Sequence, residues 1–288
     1  MKFKNYDPQT NKFPYTKQTD QHYLKVNMDR GIVFDQNYPY IDNSKKFRFK
    51  KFLVRVVLYL LVFFVTGIRM ALQVKGKKNL RQNKALLKNG VISVCNHVHM
   101  WDFLGILDAI KPFKPYLLTW KDNINGENGT LIRLNGGIPI PTDNQAGMIE
   151  YSKTIKKLLE NKGWLHIYAE GSMWEYYAPI RPLKRGAAFY ACKYHKPILP
   201  MAYSYRKPNW LRRHLLGQVA TFTLNIGEPL YPNYELGNKA EEDLTIRLHE
   251  KMCELAGIED NIYPPIFNNN ERIDYYTDTY GVGYKKSR

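Results

Sequence analysis

The sequence predicts an α/β fold: a single domain with a central mixed sheet flanked by helices, preceded by an apolar membrane-anchoring helix. From about residue 76 onward, short apolar runs alternate with stretches of helical spacing, and this alternation predicts the sheet and its helices. The most apolar stretch of the chain directly follows a run of lysine and arginine, and this arrangement predicts the anchor. The 288 residues suffice for one such domain with a substantial core.

Six apolar runs are candidate strands, at residues 91–95, 115–119, 138–140, 164–168, 198–202 and 220–226. Three further stretches have helical spacing. The first covers residues 148–159 and is closed by Gly163, and the second covers residues 187–195. The third is predicted to be capped by Asn238, and its apolar face carries Leu244, Leu248, Met252 and Leu255. The chain then divides into a polar irregular arm (1–43), a basic and apolar attachment segment (44–74), the folded domain (75–258) and a C-terminal tail (259–288).

The attachment segment joins a basic run to the apolar stretch 56–68. The cations of the run are Lys45, Lys46, Arg48, Lys50, Lys51 and Arg55. The 13 apolar residues would span about 20 Å as a helix, against a hydrocarbon core of about 30 Å. A monotopic anchor, a single-pass helix whose flanking arginines snorkel, and a buried core helix all stay open. The adjacent cations favour a membrane and place the attachment on its cytoplasmic face.

A formal net charge of +17 implies an anionic partner, which nucleic acid or a membrane surface could supply. No aromatic RNA-binding motif is visible, and the basic run adjoins an apolar segment rather than a groove-reading helix. We therefore predict membrane lipid as the partner and no nucleic acid. The three cysteines, Cys95, Cys192 and Cys253, have no close spacing, which is typical of a reducing compartment without a disulfide or zinc framework.

The segment from Asn96 to Asp102 follows a candidate strand and precedes an apolar helix. On one ideal helix, the side chains of His97 and Asp102 would point about 140° apart. If His97 lies on the strand-to-helix turn and Asp102 in the first helical turn, the two can form a hydrogen bond. The second imidazole nitrogen then stays available to accept a proton, as acyl transfer to a hydroxyl requires of a general base. By itself the spacing also fits an ordinary polar cap.

Three further blocks follow in order: Gly136-Gly-Ile-Pro-Ile-Pro-Thr142, Tyr168-Ala-Glu-Gly-Ser172 and Pro197-Ile-Leu-Pro-Met-Ala-Tyr-Ser204. With the first block, they resemble the glycerophospholipid acyltransferase family, over about residues 75 to 230. The resemblance implies that residues 75–258 are an acyltransferase domain. It implies an O-acyltransferase that moves a fatty acyl group from acyl-CoA or acyl carrier protein to a lysolipid hydroxyl, with 1-acyl-glycerol-3-phosphate as the expected acceptor in phospholipid biosynthesis.

The resemblance also implies residue roles, with His97 as the base and Asp102 as its partner. The implied substrate-binding residues are Gly137 and Thr142 in the second block, Glu170, Gly171 and Ser172 in the third, and Pro200 in the fourth, on the acyl side. The expected partners are a membrane lipid, the acyl thioester donor and an acyl carrier protein. No cofactor and no metal are implied.

Two positions depart from the family pattern, where an arginine usually ends the second block and another follows the third. These positions hold Thr142 and Met173, although the family's arginines are expected to bind an acceptor phosphate. Arg181, Lys184 and Arg185 lie shortly after the third block and are predicted to replace them. A neutral or glycolipid acceptor is the alternative.

Two other classes of protein also remain open. Since two imidazoles and a carboxylate suit iron or zinc, His97, His99 and Asp102 could belong to a metal-dependent hydrolase, with His166 and His195 as further ligands. Otherwise His99 lines the mouth of the site or packs. A non-enzymatic nucleic-acid binder would account for the net charge alone.

Overall fold

The computed structural model describes Thr19, Asp20, His22, Val26 and residues 29–266. Within this part of the chain one seven-stranded sheet has the order β1-β7-β6-β2-β5-β3-β4. The strands are β1 (Gln73–Lys75), β2 (Val91–Val94), β3 (Tyr116–Trp120), β4 (Gly137–Ile140), β5 (Trp164–Ile167), β6 (Ile198–Arg206) and β7 (Thr221–Ile226). Pairing is parallel between these strands except for β6 and β7, which are antiparallel. The predicted mixed sheet is confirmed, and β1 is the strand that the sequence did not predict.

The helices are α1 (Lys45–Val62), α2 (Lys77–Gln82), α3 (Lys84–Leu87), α4 (Asp102–Ala109), α5 (Lys121–Asn125), α6 (Gly129–Leu134), α7 (Gln145–Glu160), α8 (Gly186–Tyr194), α9 (Trp210–His214) and α10 (Ala240–Ala256). α1 continues as a π-helical segment, Phe63–Arg69. The three predicted helices are α7, α8 and α10. The predicted cap at Asn238 is wrong, because the chain already turns in a 3-10 segment, Tyr234–Lys239, before it reaches that residue. The side chain of Asn233 starts this segment by accepting a hydrogen bond from the backbone of Glu235.

The sheet separates two apolar layers, since successive side chains of a strand point to opposite faces. On one face, Ile92 and Leu165 pack with the buried sides of α7, α8 and α10. On the other, Val91 and Trp164 pack with α2, α3 and α4. α1 lies outside this second layer and contacts α4 through Leu58, Val62 and Leu104.

The predicted arm and tail both include residues that pack on the domain. In the arm, the Arg30 amide donates to the Asn125 carbonyl (3.1 Å), and Tyr40 is buried beside Tyr151. In the tail, Asn261 Nδ2 donates to the Ile180 carbonyl (2.8 Å), and the Leu183 amide donates to the Pro265 carbonyl (2.9 Å). The folded unit therefore extends beyond the predicted boundaries at residues 43 and 258. Residues 1–18 and 267–288 lie outside the described part of the chain.

The helix over Lys45–Arg69 is long and apolar enough to cross a membrane, and only 19% of its most apolar window is buried. A core helix would be largely enclosed, so the predicted alternative of a buried core helix is not supported. Both ends of the helix contact the domain. The guanidinium of Arg133 lies 5.6 Å from the ring centroid of Phe47, and Arg212 Nη1 donates to the Ile68 carbonyl (2.8 Å).

Candidate active site

The site forms where the neighbouring parallel strands β2 and β5 end. Asn96 and His97 follow β2, and Tyr168 to Glu170 follow β5, so the first and third blocks meet at one edge of the sheet. The buried amide of Asn96 fastens this turn to β6: its Oδ1 accepts from the Tyr203 amide (2.7 Å) and its Nδ2 donates to the Tyr203 carbonyl (3.2 Å). The turn that carries His97 is therefore fixed to β6 by two hydrogen bonds.

His97 and Asp102 form the hydrogen bond that their spacing predicts. Asp102 is the first residue of α4 and is fully buried, and its Oδ2 lies 2.7 Å from His97 Nδ1. The same oxygen accepts from the amides of Val98 (2.9 Å) and His99 (3.2 Å). Burial alone would raise the pKa of the Asp102 carboxyl, but the His97 imidazole and the surrounding hydrogen bonds lower it below its usual value. Asp102 is thus held as a carboxylate.

Tyr168 is a third member of this arrangement, and sequence reasoning assigned it no role. Its ring stacks on the His97 imidazole, with centroids 3.9 Å apart and planes 13° apart. Its hydroxyl donates to Asp102 Oδ1 (2.7 Å), and burial raises the pKa of that hydroxyl well above its usual value. Tyr168 therefore stays neutral and positions both the Asp102 carboxylate and the His97 imidazole.

The arrangement leaves the Nε2 nitrogen of His97 accessible for chemistry. An aspartate at Nδ1 favours the tautomer with the proton on that nitrogen, so Nε2 carries the lone pair. Nε2 makes no hydrogen bond to the residues that the structure describes, and 25% of the His97 side chain is exposed. The imidazole can therefore accept a proton from a bound hydroxyl.

A buried hydrogen-bond network adjoins the backbone of His97 and consists of Glu170, Ser172 and Arg181. Glu170 Oε2 accepts from the His97 amide (3.2 Å) and from Arg181 Nη2 (2.9 Å), while its Oε1 accepts from the Arg181 amide (2.9 Å). Nη1 and Nη2 of Arg181 also donate to Ser172 Oγ (2.7 Å), the Ser172 carbonyl (2.6 Å) and the Thr19 carbonyl (2.7 Å). Arg181 is 1% exposed, so its predicted contact with an acceptor phosphate is not supported. The network instead supports the backbone of His97.

Lys184 is the predicted cation whose side chain lies against the third block. Gly171 has φ +84°, and a Cβ at this position would lie 2.7 Å from Lys184 Cε. Lys184 Nζ forms an ion pair with Asp20 (3.1 Å), and 47% of its side chain is exposed. Arg185 precedes α8 and is exposed. Lys184 and Arg185 are thus open to solvent where Arg181 is not.

Comparison with known protein families finds a match over the part of the chain that carries this site. A sequence profile described as Acyltransferase matches residues 71–204, which contain all four blocks. Residues 71–204 therefore form an acyltransferase domain. The resemblance to the glycerophospholipid acyltransferases is confirmed at the level of the family, and so is the prediction that the protein is an enzyme.

Other matches add no argument about the substrate. The crystal structure of the 1-acyl-sn-glycerophosphate (LPA) acyltransferase PlsC from Thermotoga maritima is similar, with 18% sequence identity and a TM-score of 0.46, over 76% of this chain and 84% of that chain. From a similarity this distant, nothing follows about the substrate of the acyltransferase described here. No curated protein matches the chain significantly.

The second and fourth blocks of the acyltransferase lie at different distances from His97 and Asp102, the catalytic dyad. Thr142 is exposed just beyond β4, at the same edge of the sheet but three strands from β2, which corresponds to about 14 Å. Gly137 is buried at the start of β4, so the structure does not bring it to this edge. Pro200 is buried in β6 and pairs with Val94 at the end of β2.

The histidines proposed as metal ligands do not converge. His99 Nδ1 accepts from the Trp101 amide (3.1 Å), and its Nε2 lies 3.5 Å from Glu175 Oε1. His166 Nδ1 lies 2.8 Å from Ser93 Oγ inside the sheet, and His195 follows α8 beside Tyr234. Within residues 29–266 and the four described arm residues, no group of three His, Cys, Asp or Glu residues is placed to hold a metal ion. His99 packs rather than lining the mouth, because it is buried between Tyr176 and Phe222.

Proposed function

We propose that this acyltransferase moves a fatty acyl group from acyl-CoA or acyl carrier protein to a hydroxyl of a lysolipid. One observation carries the proposal: the His97 imidazole is held at Nδ1 by a buried carboxylate and is open at Nε2. The acceptor proton passes to Nε2 while the oxygen attacks the thioester carbonyl. When the tetrahedral intermediate collapses, the C–S bond breaks and the proton leaves with the thiol. Asp102 stabilises the imidazolium formed between these steps.

No residue is acylated in this reaction, and no cofactor takes part besides the donor. The products are the new ester and the free thiol of the carrier. Tyr168 stacks on the imidazole and fixes its plane. Glu170 accepts a hydrogen bond from the His97 amide and so holds the backbone of His97 in place. The hydroxyl of the acceptor then needs only to reach Nε2.

The proposed acceptor is a phosphate-bearing lysolipid, 1-acyl-glycerol-3-phosphate. Its phosphate carries nearly two charges, so it requires cationic partners. Lys184 supports this choice because its ammonium lies over the third block and already holds the Asp20 carboxylate. An acceptor phosphate would replace that carboxylate, with Arg185 as the neighbouring cation.

A neutral or glycolipid acceptor is the second candidate. The burial of Arg181 favours it, because one of the three predicted phosphate ligands is already committed to Glu170 and Ser172. With fewer open cations than predicted, a hydroxylated head group without a phosphate also fits the exposed surface around Lys184.

The proposed attachment is monotopic, with α1 and the π-helical segment lying in the plane of the cytoplasmic leaflet. A helix that crosses the hydrocarbon core places its two ends about 30 Å apart along the membrane normal. Here Phe47 and Ile68, near opposite ends of the helix, both contact the same domain. The basic run at the start of the helix supports the cytoplasmic side.

The proposal is tested by measuring turnover on lysolipids with and without a phosphate monoester, each with an acyl-CoA and an acyl carrier donor. His97→Ala should reduce turnover by about 10²–10⁴-fold without unfolding, because His97 supplies the base and is partly exposed. Lys184→Ala should raise the KM for 1-acyl-glycerol-3-phosphate and leave the donor KM unchanged. Lys193→Ala, at an exposed lysine on α8, is the matched control.

Near-normal turnover of folded His97→Ala would refute the base. If wild-type protein acylates only acceptors without phosphate, or if Lys184→Ala leaves the acceptor KM unchanged, the neutral or glycolipid acceptor replaces the phosphate-bearing one.

A further inference from the structure

The connection between β6 and β7 carries a group of large apolar side chains on the surface. Their exposed fractions are 69% for Trp210, 54% for Leu211, 70% for Leu215 and 50% for Leu216. Trp210 begins the single-turn α9, and the leucines lie on the turn and directly after it. Four neighbouring large apolar side chains on a surface mark an interaction site rather than ordinary scatter.

This connection is fastened to the end of the membrane-attachment helix. Arg212 Nη1 donates to the Ile68 carbonyl (2.8 Å), and Gln218 Nε2 donates to the carbonyls of Ile68 (2.8 Å) and Arg69 (3.0 Å). The π-helical segment at this end also exposes apolar side chains, 59% of Phe64 and 46% of Ile68. The exposed apolar surface of the attachment helix therefore continues onto the β6–β7 connection.

The charges of the connection are complementary to an anionic lipid surface. Residues 207–220 contain no aspartate or glutamate, and Lys207 and Arg213 are exposed among the apolar side chains. Tryptophan and leucine next to cations are typical of segments that lie in the membrane interface. A second copy of this chain fits less well, because two chains of formal charge +17 would bring like charges together.

We propose that residues 207–218 form a second membrane contact, entering the interfacial region of the leaflet on which the attachment helix lies. Trp210, Leu211, Leu215 and Leu216 reach the boundary between head groups and acyl chains. Lys207 and Arg213 meet the lipid phosphates. The proposal rests on the monotopic attachment of α1 and is independent of the acceptor.

The test uses the full chain with vesicles of phosphatidylcholine and phosphatidylglycerol. Brominated phosphatidylcholine should quench the fluorescence that Trp210 contributes, so wild-type protein should lose more intensity than Trp210→Phe. In flotation assays, Trp210→Ser/Leu215→Ser should bind the vesicles at least about tenfold more weakly, because two large apolar side chains no longer enter the interface. Leu236→Ser is the control, since Leu236 is 41% exposed and precedes α10 on the other face of the sheet.

Turnover of the double variant in detergent micelles should equal that of wild type, which shows that the fold and the active site are intact. Equal quenching of wild type and Trp210→Phe, or unchanged vesicle binding of the double variant, would overturn the proposal. A change of oligomeric state with unchanged vesicle binding would assign the surface to a second copy and overturn it as well. If wild-type protein shows no acyl transfer but the binding results hold, only the proposed function fails.

Discussion

Asp102 is the residue on which the geometry of the site depends. Its buried carboxylate accepts hydrogen bonds from His97, Tyr168 and the amides of Val98 and His99. The histidine and aspartate were predictable from their spacing, because a strand-to-helix turn is the arrangement that lets two residues five apart meet. Tyr168 was not, since its stacking on His97 arises from the pairing of β2 with β5 and leaves no spacing signal.

The Tyr168 hydroxyl can be tested separately from the ring. Tyr168→Phe keeps the ring on His97 but removes one hydrogen bond to Asp102. Because a hydrogen bond to a charged group contributes about 1.5–3 kcal/mol, we expect kcat to fall by about tenfold or more with little change in KM. Steady-state kinetics measure this effect, and Tyr190→Phe is the control because it removes a hydroxyl bond to Tyr151 on the other face of the sheet. Equal kcat for wild type and Tyr168→Phe would show that the hydroxyl does not position the dyad.

The buried pair His99 and Glu175 predicts a characteristic pH dependence of stability. Burial lowers the pKa of His99 from 6.5 to about 4, so the unfolded chain binds more protons at this residue between these values and stability rises with pH. Burial raises the pKa of Glu175 from 4.5 to about 7, so the folded chain binds more protons there and stability falls as pH rises. Over the shared range from pH 4.5 to pH 6.5 the two effects oppose each other.

Glu175→Gln should remove one of the two effects. The free energy of unfolding should then rise more steeply between pH 4.5 and pH 6.5 than in wild type, as urea titrations at several pH values would measure. Glu254→Gln, at an exposed carboxyl of α10, is the control. Parallel pH profiles of wild type and Glu175→Gln would contradict the prediction.

Among the structural elements, the strands were easier to predict than the segments that join them. β2 and β5 are continuous buried runs, so apolar composition alone revealed them. β1 has one apolar residue, Val74, between Gln73 and Lys75, and its strand conformation results from pairing with β7. The prediction that Arg181 binds an acceptor phosphate failed for another reason. Arginine is almost never fully buried, so nothing in the sequence indicated that Arg181 pairs with Glu170 inside the domain.

The buried pair of Glu170 and Arg181 should contribute to stability rather than to acceptor affinity. Arg181→Ala leaves a buried carboxylate without its partner, so we expect a loss of about 3–5 kcal/mol in the free energy of unfolding together with lower kcat. Urea unfolding measures the loss, and Arg185→Ala should change it by no more than about 0.5 kcal/mol because Arg185 is exposed. A stable Arg181→Ala enzyme with only a raised acceptor KM would restore Arg181 as a phosphate ligand.

For the molecule as a whole, the arrangement of the attachment helix is the feature that the sequence alone could not predict. Composition predicted its apolar stretch and its cations, but it left open a monotopic anchor, a single-pass helix and a buried core helix. The contacts of Phe47 and Ile68 with the domain support the proposed monotopic arrangement, and they are tertiary contacts that no local pattern encodes. A deletion that ends near Lys75 would be a poor test of attachment, since it removes the fully buried Met70 and strand β1.

Point substitutions on the exposed side of the helix give a cleaner test. Phe52→Ser/Val57→Ser/Phe64→Ser replaces side chains that are 59%, 54% and 59% exposed, so the domain core should be unaffected. High salt should leave wild-type protein in the membrane pellet, because apolar burial is not screened, whereas the triple variant should be released. Ile149→Ser is the control, since Ile149 is 55% exposed on α7. Quantitative release of wild-type protein by salt alone would show that the attachment is purely electrostatic.

The junction between the attachment helix and the sheet has a mechanical consequence. The π-helical segment ends at Arg69 and β1 begins at Gln73, while the Met70 carbonyl accepts from the Phe222 amide (3.0 Å). No flexible tether separates the two parts, so on a bilayer the domain can rotate only together with its helix. A label on the domain should therefore show a fluorescence anisotropy decay without the fast wobble of a tethered enzyme. With the proposed monotopic attachment, the mouth of the site would keep one height above the leaflet, and lipids diffusing in two dimensions would meet it at a constant depth.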